Sequence, residues 1–129
     1  MDRKELLAYT GDQYGDAPEY LWEDTPDAFI LRHRENRKWY ALVMAVPRAR
    51  LRLEGDGTVD VLNVKCGPLL GGSYRAEPGV LPAWHMNKNH WLSVLLDGTA
   101  SDAVIRELLS ISYELTGPKR NTGTKKTPV

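Results

Sequence analysis

The chain has 129 residues, which is enough for one domain with a hydrophobic core and too short for two ordinary domains. Apolar residues make up 42% and charged residues 26%, values that exclude a fibrous chain and a chain disordered throughout. The 17 basic residues balance 17 acidic ones, which argues against a nucleic-acid binder whose whole domain is basic.

Neither a membrane segment nor a disulfide framework is expected. No apolar run approaches the ~20 residues that cross a bilayer, and residues 2–5 begin a polar helix rather than a signal peptide. Cys66 is the single cysteine, which excludes an intrachain disulfide and fits a reducing compartment. We therefore expect a cytoplasmic protein that contacts no membrane.

The first part of the chain predicts a helix followed by a break. Asp2 and Glu5 have the spacing of a capping box and an apolar stripe begins at Leu6, so we expect a helix over residues 2–14. Pro18 ends the helical pattern, and a short strand over residues 20–23 is expected next. The front is acidic, because residues 1–27 hold eight acids and two bases.

Four further segments predict an antiparallel sheet. Residues 27–34 and 38–46 are rich in branched and aromatic side chains and flank a polar turn. Residues 48–53 alternate arginine with apolar residues, as in a strand with one solvated face, and residues 59–66 follow a second turn. These segments alone imply a sheet of at least four strands.

The second half predicts a last strand and a closing helix. Residues 67–82 contain four glycines, each costing about 1 kcal/mol in a helix interior, so their secondary structure is left open. Residues 92–96 predict a strand, and Ser101 is the expected N-cap of a helix that Gly117 and Pro118 end. Its expected apolar face consists of Val104, Leu108, Ile111 and Leu115.

The predicted fold class is α+β, with the N-terminal and C-terminal helices packed on one face of an antiparallel sheet and the opposite face open to solvent. This domain spans residues 1–118. Residues 119–129 carry four bases, no acid and almost no apolar residue, so we expect a basic, disordered tail.

The most specific motif is the segment Trp84, His85, Met86, Asn87, Lys88, Asn89, His90 and Trp91. It resembles the signature of the MmcQ/YjbR family, in which an aromatic residue precedes His-Met-Asn-Lys, one variable residue and His-Trp. The resemblance covers residues 1 to about 118 and implies a frataxin-like (CyaY-like) fold. It also implies a short helix within residues 67–82, where the glycines depart from the pattern. Members are often labelled DNA-binding.

Arginines recur at a spacing of two in two of the predicted strands: Arg32, Arg34, Arg48, Arg50 and Arg52. Guanidinium groups suit phosphate, so such a row could follow a nucleic-acid backbone while Trp39 or Tyr40 stacks on a base. Lys88 could add a phosphate contact. The alternative is a solvated strand face whose arginines discourage aggregation between sheets.

The motif itself has two interpretations. In the first, Asn87 reads a base edge and the indoles of Trp84 and Trp91 stack on bases. In the second, which we favour, Asn87 fixes a turn, both indoles anchor the loop to the core and His90 donates to a carbonyl.

Metal, cofactor and catalytic chemistry are not expected. His85 and His90 are five residues apart, a spacing that diverges on a helix, and neither the third imidazole, His33, nor the lone Cys66 completes a ligand pattern. A Cys66 thiol with a histidine base is less common than a buried structural cysteine. No nucleophile elbow, Walker A or dinucleotide fingerprint is present.

Two functions remain after these exclusions. The first is a non-enzymatic protein that binds DNA without sequence specificity through the arginines and Lys88. The alternative is a protein-protein interaction module, whose partner contacts the open sheet or the acidic front. Frataxin-like proteins use an acidic helix and strand edge for cations or partners, and the corresponding acids here are Asp12, Asp16, Glu19, Glu23 and Asp24.

Overall fold

The protein is described here from a computed structural model that covers residues 1–84 and 86–118, without the side chains of residues 69–71. The elements in chain order are α1 (Arg3–Tyr14), β1 (Phe29–Arg32), β2 (Trp39–Pro47), a 3₁₀ turn (Arg48–Leu51), β3 (Thr58–Lys65), α2 (Pro68–Tyr74), β4 (Val80–Pro82), β5 (Trp91–Leu95) and α3 (Asp102–Thr116). The predicted tail, residues 119–129, lies outside this part of the chain. Among residues 1–84 and 86–118, no helix is long and apolar enough to cross a membrane.

The strands form one five-stranded sheet in the order β1-β2-β3-β5-β4, and every neighbouring pair is antiparallel. The predicted α+β class with an antiparallel sheet is therefore confirmed. The short helix that the family resemblance implied is also present as α2, which begins at Pro68, a residue suited to a first helical position.

Local signals at the helix ends behave as expected. The Asp2 side chain accepts from Glu5 N, and Glu5 accepts in return from Asp2 N, which completes the capping box. Ser101 Oγ accepts from Val104 N at 3.1 Å and caps α3. Satisfying these amides defines where both helices begin.

Both long helices pack on one face of the sheet, as predicted. Leu6 of α1 and Leu108 of α3 join sheet residues such as Val43 and Val94 in the main core cluster. Cys66 is buried in this cluster, and burial raises the pKa of its thiol.

The predicted apolar face of α3 is wrong in part, because Leu115 is 51% exposed. The buried residues of the helix are instead Ile105, Leu108, Leu109, Ser112 and Thr116. Ser112 explains this orientation, since its Oγ accepts from Lys65 N at 2.8 Å and donates to Tyr40 O at 2.6 Å. These two hydrogen bonds tie α3 to the middle of the sheet by a polar residue that an apolar pattern overlooks.

The opposite face of the sheet is not open to solvent, contrary to the prediction. It carries a second cluster formed by Val46, Val59, Val61 and Leu95, against which Leu51, Leu53 and Trp84 pack. Beside it, buried Asn63 donates to Leu42 O and accepts from Ser93 Oγ at 2.6 Å. The central strands are apolar on both faces, so both faces need a cover.

Two predicted strands are absent. In place of the strand predicted over residues 48–53, Arg48–Leu51 form a 3₁₀ turn that Arg52 ends at φ 59°, with Arg48 N donating to Gly57 O and Leu53 N to Arg48 O. This turn still places Leu51 and Leu53 on the second cluster, so the alternating pattern arises without a strand. In place of the strand predicted over residues 20–23, the structure has a single bridge between Glu19 and Ile30.

Candidate functional site

The motif loop after β4 is organised by Asn87. Its Oδ1 accepts from Asn89 N at 2.9 Å, and its carbonyl accepts from His90 N at 3.1 Å and Trp91 N at 2.9 Å. These bonds build a turn in which the asparagine side chain replaces a backbone acceptor. His90 O accepts from Cys66 N at 2.8 Å and fastens the loop to the end of β3.

The Trp84 indole of the motif serves packing. Trp84 is half-buried against the second cluster, and its backbone N–H donates to Ser93 Oγ at 2.7 Å. Trp91 begins β5 opposite Lys65. Met86 is half-buried, Lys88, Asn89 and His90 are exposed, and His85 lies outside the described residues. The structural interpretation of Asn87 and Trp84 is therefore confirmed, and Lys88 remains available to solvent.

Arg32 at the end of β1 and Arg34 just after it are already engaged. Arg32 binds Glu19 in a bidentate pair, with Nη2 at 2.6 Å and Nε at 2.8 Å from the carboxylate, and this bond lowers the pKa of Glu19. Arg34 donates to Gly15 O at 2.8 Å and lies 3.5 Å from Asp16. Both side chains hold the segment after α1 against the edge strand, which is a structural task.

The five arginines do not line one sheet face. Arg48 donates to Glu54 O at 2.7 Å and lies 3.9 Å from Asp97. Arg50 and Arg52 sit on the 3₁₀ turn rather than on a strand, their side chains are exposed, and neither forms an ion pair within residues 1–84 and 86–118. The prediction of a continuous row is wrong because residues 48–53 are not extended.

Three exposed bases therefore remain, Arg50, Arg52 and Lys88, which we call the basic rim. The turn and the motif loop both adjoin the second cluster, because Leu51, Leu53 and Trp84 pack against it. Tyr40 is fully buried and cannot stack on a base, while Trp39 is half-buried and meets Trp22 edge-on at 5.8 Å. The rim therefore offers positive charge, and neither Trp39 nor Tyr40 of β2 offers a ring on which a base could stack.

A cavity of about 680 Å³ lies at the far end of both long helices. We call it the tyrosine groove, and its lining residues are Tyr14, Asp16, His33, Arg34, Glu35, Tyr113, Glu114, Gly117 and Pro118. Its two sides are the C-terminal ends of α1 and α3, and its floor is the segment that follows β1.

Aromatic rings form one wall of the groove. Tyr14 stacks on Tyr113 with 4.2 Å between ring centroids, and Tyr113 meets the Tyr40 ring edge-on at 4.9 Å. Tyr40 donates to Asp16 Oδ2 at 2.8 Å, and burial is the main cause that raises its pKa. Burial, together with Tyr9, also raises the pKa of Tyr14 to about 12. Both phenols are protonated at neutral pH.

His33 is the buried polar group of the floor. Its Nε2 lies 3.0 Å from Tyr113 O and 3.0 Å from Thr116 Oγ1. Because Thr116 Oγ1 donates to Ser112 O at 2.7 Å, Nε2 faces two acceptors and carries a proton. The histidine therefore fastens the end of α3 to the segment after β1. The sequence does not predict this contact, because His33 lies about 80 residues from Tyr113 and Thr116.

The acidic front does not assemble into a metal site within the described residues, where no three His, Cys, Asp or Glu side chains are placed so that they could hold a metal ion. Of the five acids that correspond to the acidic edge of frataxin-like proteins, Asp16 accepts from Tyr40 and Glu19 binds Arg32. Their carboxylates support the segment between α1 and β1 rather than a shared centre.

Comparison with known proteins gives a consistent set of relatives. A family model described as YjbR matches residues 12–115. The uncharacterised protein YyaQ of Bacillus subtilis is 38% identical over 116 residues, which cover 90% of this chain and 98% of that protein. The uncharacterised protein YbdF of Escherichia coli O157:H7 is 42% identical over 60 residues, 44% of this chain and 48% of its own length.

Solved structures agree with these matches. The crystal structure of a Pseudomonas syringae protein superposes with a TM-score of 0.87 at 42% identity, covering 91% of this chain and 100% of that one. A Deinococcus radiodurans protein assigned to the domain DUF419 superposes with a TM-score of 0.68 at 24% identity, over 96% of this chain and 83% of its own, and shows the fold alone.

Proposed function

Since this chain belongs to the YjbR family, we propose that it is a small, cytoplasmic, non-enzymatic protein that binds nucleic acid through phosphate contacts at the basic rim. The relatives are themselves uncharacterised, so they supply the fold and no ligand. Support for the ligand comes from the charges on the surface of this chain.

One observation carries the proposal. Of the six bases that the sequence singled out, Arg32, Arg34 and Arg48 are held by carboxylates or carbonyls, whereas the three bases of the rim are exposed and form no ion pair within the described residues. A phosphate that approached Arg32 or Arg48 would have to replace an existing partner, and one that approached Arg34 would meet the carboxylate of Asp16 3.5 Å away. The rim bases need only shed water, so they favour phosphate contact.

The backbone at Arg52 is a second support. Arg52 has φ 59°, a left-handed conformation that costs a residue with a side chain about 1–2 kcal/mol relative to glycine. Glycine would close this turn at lower cost. Exposed Arg37, outside the rim, has the same conformation at φ 67°, so the conformation supports binding at Arg52 only together with its place beside exposed Arg50.

The same surface limits the affinity and the specificity. Glu54 and Asp56 follow the turn, and the chain has no net charge, so long-range attraction is weak. The rim lies on a turn and a loop rather than on a helix that enters a major groove, so base edges are not read. We expect binding near the weak, sequence-independent range of about 10⁻⁴ to 10⁻⁶ M.

Salt dependence tests this proposal. Fluorescence anisotropy of a labelled duplex, titrated with the full chain at several salt concentrations, measures the association constant. Three phosphate contacts predict a slope of log K against log salt of about −3, equal for two duplexes of unrelated sequence. Absence of binding at low salt, or an affinity that does not change with salt, would contradict phosphate contact.

A protein partner is the second candidate, and one observation favours it. Tyr20 and Leu21 are 54% and 45% exposed, and they follow Glu19, whose bridge to Ile30 lies at the edge strand β1. Exposed apolar side chains beside a sheet edge suit a partner chain. Recovery of one stoichiometric protein in a pull-down after nuclease treatment would favour this alternative.

A further inference from the structure

Another cavity, of about 240 Å³, lies at the edge strand β1, between the segment after α1 and the turn that follows β1. We call it the arginine pocket, because its lining includes the three guanidiniums of Arg32, Arg34 and Arg37, together with the carboxylates of Asp16 and Glu19. It adjoins the tyrosine groove and shares no residue with the basic rim. Among its arginines and carboxylates, one positive charge is therefore in excess.

Both carboxylates of the pocket already have donors. Arg32 reaches the two oxygens of Glu19, with Nη2 2.6 Å from Oε1 and Nε 2.8 Å from Oε2. Asp16 Oδ2 accepts from Tyr40 at 2.8 Å, and Asp16 Oδ1 lies 3.5 Å from Arg34 Nε. The acids of the pocket and these two arginines therefore offset each other, and the third guanidinium carries the excess charge.

Arg37 is that third guanidinium. Its side chain is exposed and forms no hydrogen bond or ion pair with the residues that the structure describes. Arg32 is the main cause that lowers the pKa of Glu19, and the charge of Arg37 adds to this effect, so Arg37 lies near that ion pair without bonding to it. The five N–H donors of its guanidinium are therefore available to a ligand.

The turn that carries Arg37 is held in place on both sides. Arg37 N donates to His33 O at 3.1 Å, and Lys38 N donates to Asn36 Oδ1 at 3.0 Å. Asn36 Nδ2 in turn donates to Thr116 O, at the end of α3, at 2.8 Å. Arg37 itself has φ 67°, a left-handed conformation that few residues with a side chain adopt. A ligand therefore meets a base whose backbone is already ordered, which lowers the entropic cost of binding.

The charge of the pocket favours a monoanion. One excess positive charge is neutralised by a carboxylate, whereas a phosphate dianion would leave a negative charge beside Asp16 and Glu19. A carboxylate also has two coplanar oxygens, which match the fork of one guanidinium. Ala17 and Pro18 add apolar surface to the lining, and the cavity is smaller than the roughly 300–1,000 Å³ of drug-sized sites. A short aliphatic acid fits these limits.

We propose that the arginine pocket binds a small monocarboxylate. The carboxylate accepts two hydrogen bonds from the guanidinium of Arg37, and the short apolar chain packs against Ala17 and Pro18. Arg32 and Arg34 stay with their own partners, Glu19 and Asp16, and hold the walls of the pocket apart. This site does not depend on nucleic-acid binding at the rim.

Three probes that differ in charge test the site. Butyrate, its neutral isostere butyramide and inorganic phosphate are titrated into the full chain at constant ionic strength, at a pH where phosphate is mainly dianionic, and amide chemical shifts by NMR report both affinity and location. We expect butyrate to bind about tenfold more tightly than butyramide, and more tightly than phosphate, with shifts at residues 16–19 and 32–37. Equal affinity for butyrate and butyramide, tighter binding of phosphate, or shifts mainly at the basic rim would overturn the proposal.

A matched pair of variants separates the pocket from the overall charge of the protein. Arg37→Gln removes the exposed base of the pocket, and Lys38→Gln removes the exposed base beside it that does not line the cavity. The first variant is expected to weaken butyrate binding by roughly fivefold to tenfold and to leave butyramide binding unchanged, since only the charged probe uses the guanidinium. The second is expected to change either affinity by less than about twofold. An equal loss in both variants would show that net charge, and not the pocket, sets the affinity.

Glu19→Gln tests the charge count in the opposite direction. The change removes one carboxylate from the pocket and leaves Arg32 without its anionic partner, so the excess charge of the arginines over the carboxylates rises from one to two. Phosphate is then expected to bind roughly fivefold or more tightly than it binds the parent protein. Glu77→Gln, beside β4 at the other edge of the sheet, removes an exposed acid outside the pocket and should leave phosphate binding unchanged. An unchanged phosphate affinity in Glu19→Gln, or an equal gain in both variants, would contradict selection of the ligand by the charge of the pocket.

Discussion

Reversing the charge of Arg50, Arg52 and Lys88 together to glutamate is expected to weaken binding to duplex DNA at low salt by at least about 100-fold. Each lost phosphate contact costs about 1 kcal/mol, and each new carboxylate repels the backbone, so the three changes together exceed about 3 kcal/mol. All three side chains are exposed and bury little on folding, so the thermal unfolding midpoint should change little. Anisotropy titration of the variant beside the parent protein measures the loss.

The matched control reverses three exposed bases elsewhere, Lys4, Lys38 and Arg106. This control changes the net charge by the same amount, yet it should weaken binding by less than about fivefold, because charges beyond a Debye length are largely screened. If both triple variants lose affinity equally, then overall charge and not the rim accounts for the binding.

Replacing Gly79 with alanine is expected to lower the free energy of unfolding by about 3 kcal/mol or more. Gly79 has φ +79°, and a Cβ there would lie 2.7 Å from Ala100 N and 2.9 Å from Ala100 Cβ. The left-handed backbone alone costs roughly 1–2 kcal/mol. The steric contact adds to this cost, because it forces Ala100, just before α3, away from Gly79, just before β4. Gly79 O also accepts from Leu95 N, so a shift of Gly79 would disturb the pairing with β5. Chemical denaturation measures the change.

Gly98→Ala is the control for this prediction. Gly98 has φ +93°, and no atom lies within 4 Å of the position that its Cβ would take. The control therefore contains the backbone cost without the steric contact, and should lose only about 1–2 kcal/mol. Equal losses in the two variants would show that the contact between Gly79 and Ala100 is unimportant.

Signals that act between near neighbours in the chain were predictable from the sequence. The capping box of Asp2 and Glu5, the Ser101 cap and the turn at Asn87 each depend on residues within three or four positions of one another. The apolar patterns at residues 38–46, 59–66 and 92–96 were also sufficient to predict β2, β3 and β5, because short runs so rich in branched apolar residues are compatible with few other structures.

Residues 48–53 show why a local pattern fails. Alternation of arginine with apolar residues is compatible with a strand, and also with a turn that lays Leu51 and Leu53 on a neighbouring surface. Which of the two structures forms depends on Val59, Val61 and Leu95. These residues make the apolar surface that Leu51 and Leu53 cover, and that surface exists only after the sheet forms. The orientation of α3 likewise depends on Ser112, whose partners lie in β2 and β3.

The tyrosine groove had no sequence signal at all. Tyr14, His33 and Tyr113 are scattered over most of the domain, and each taken alone is an ordinary aromatic or polar residue. Their proximity results from α1 and α3 ending at the same edge of the sheet, beside the segment after β1. By contrast, the motif at residues 84–91 identified the family, although its Asn87 side chain serves the turn of the loop and its Trp84 side chain packs against the second cluster.

Mapping amide chemical shifts by NMR during titration of the isotope-labelled full chain with a short DNA duplex tests the central claim most directly. Contact at the basic rim predicts shifts that cluster at residues 50–53 and 86–90 and that reverse when salt is added. Shifts confined to the tyrosine groove or to the edge strand β1, or no shifts at low salt, would contradict nucleic-acid binding through Arg50, Arg52 and Lys88.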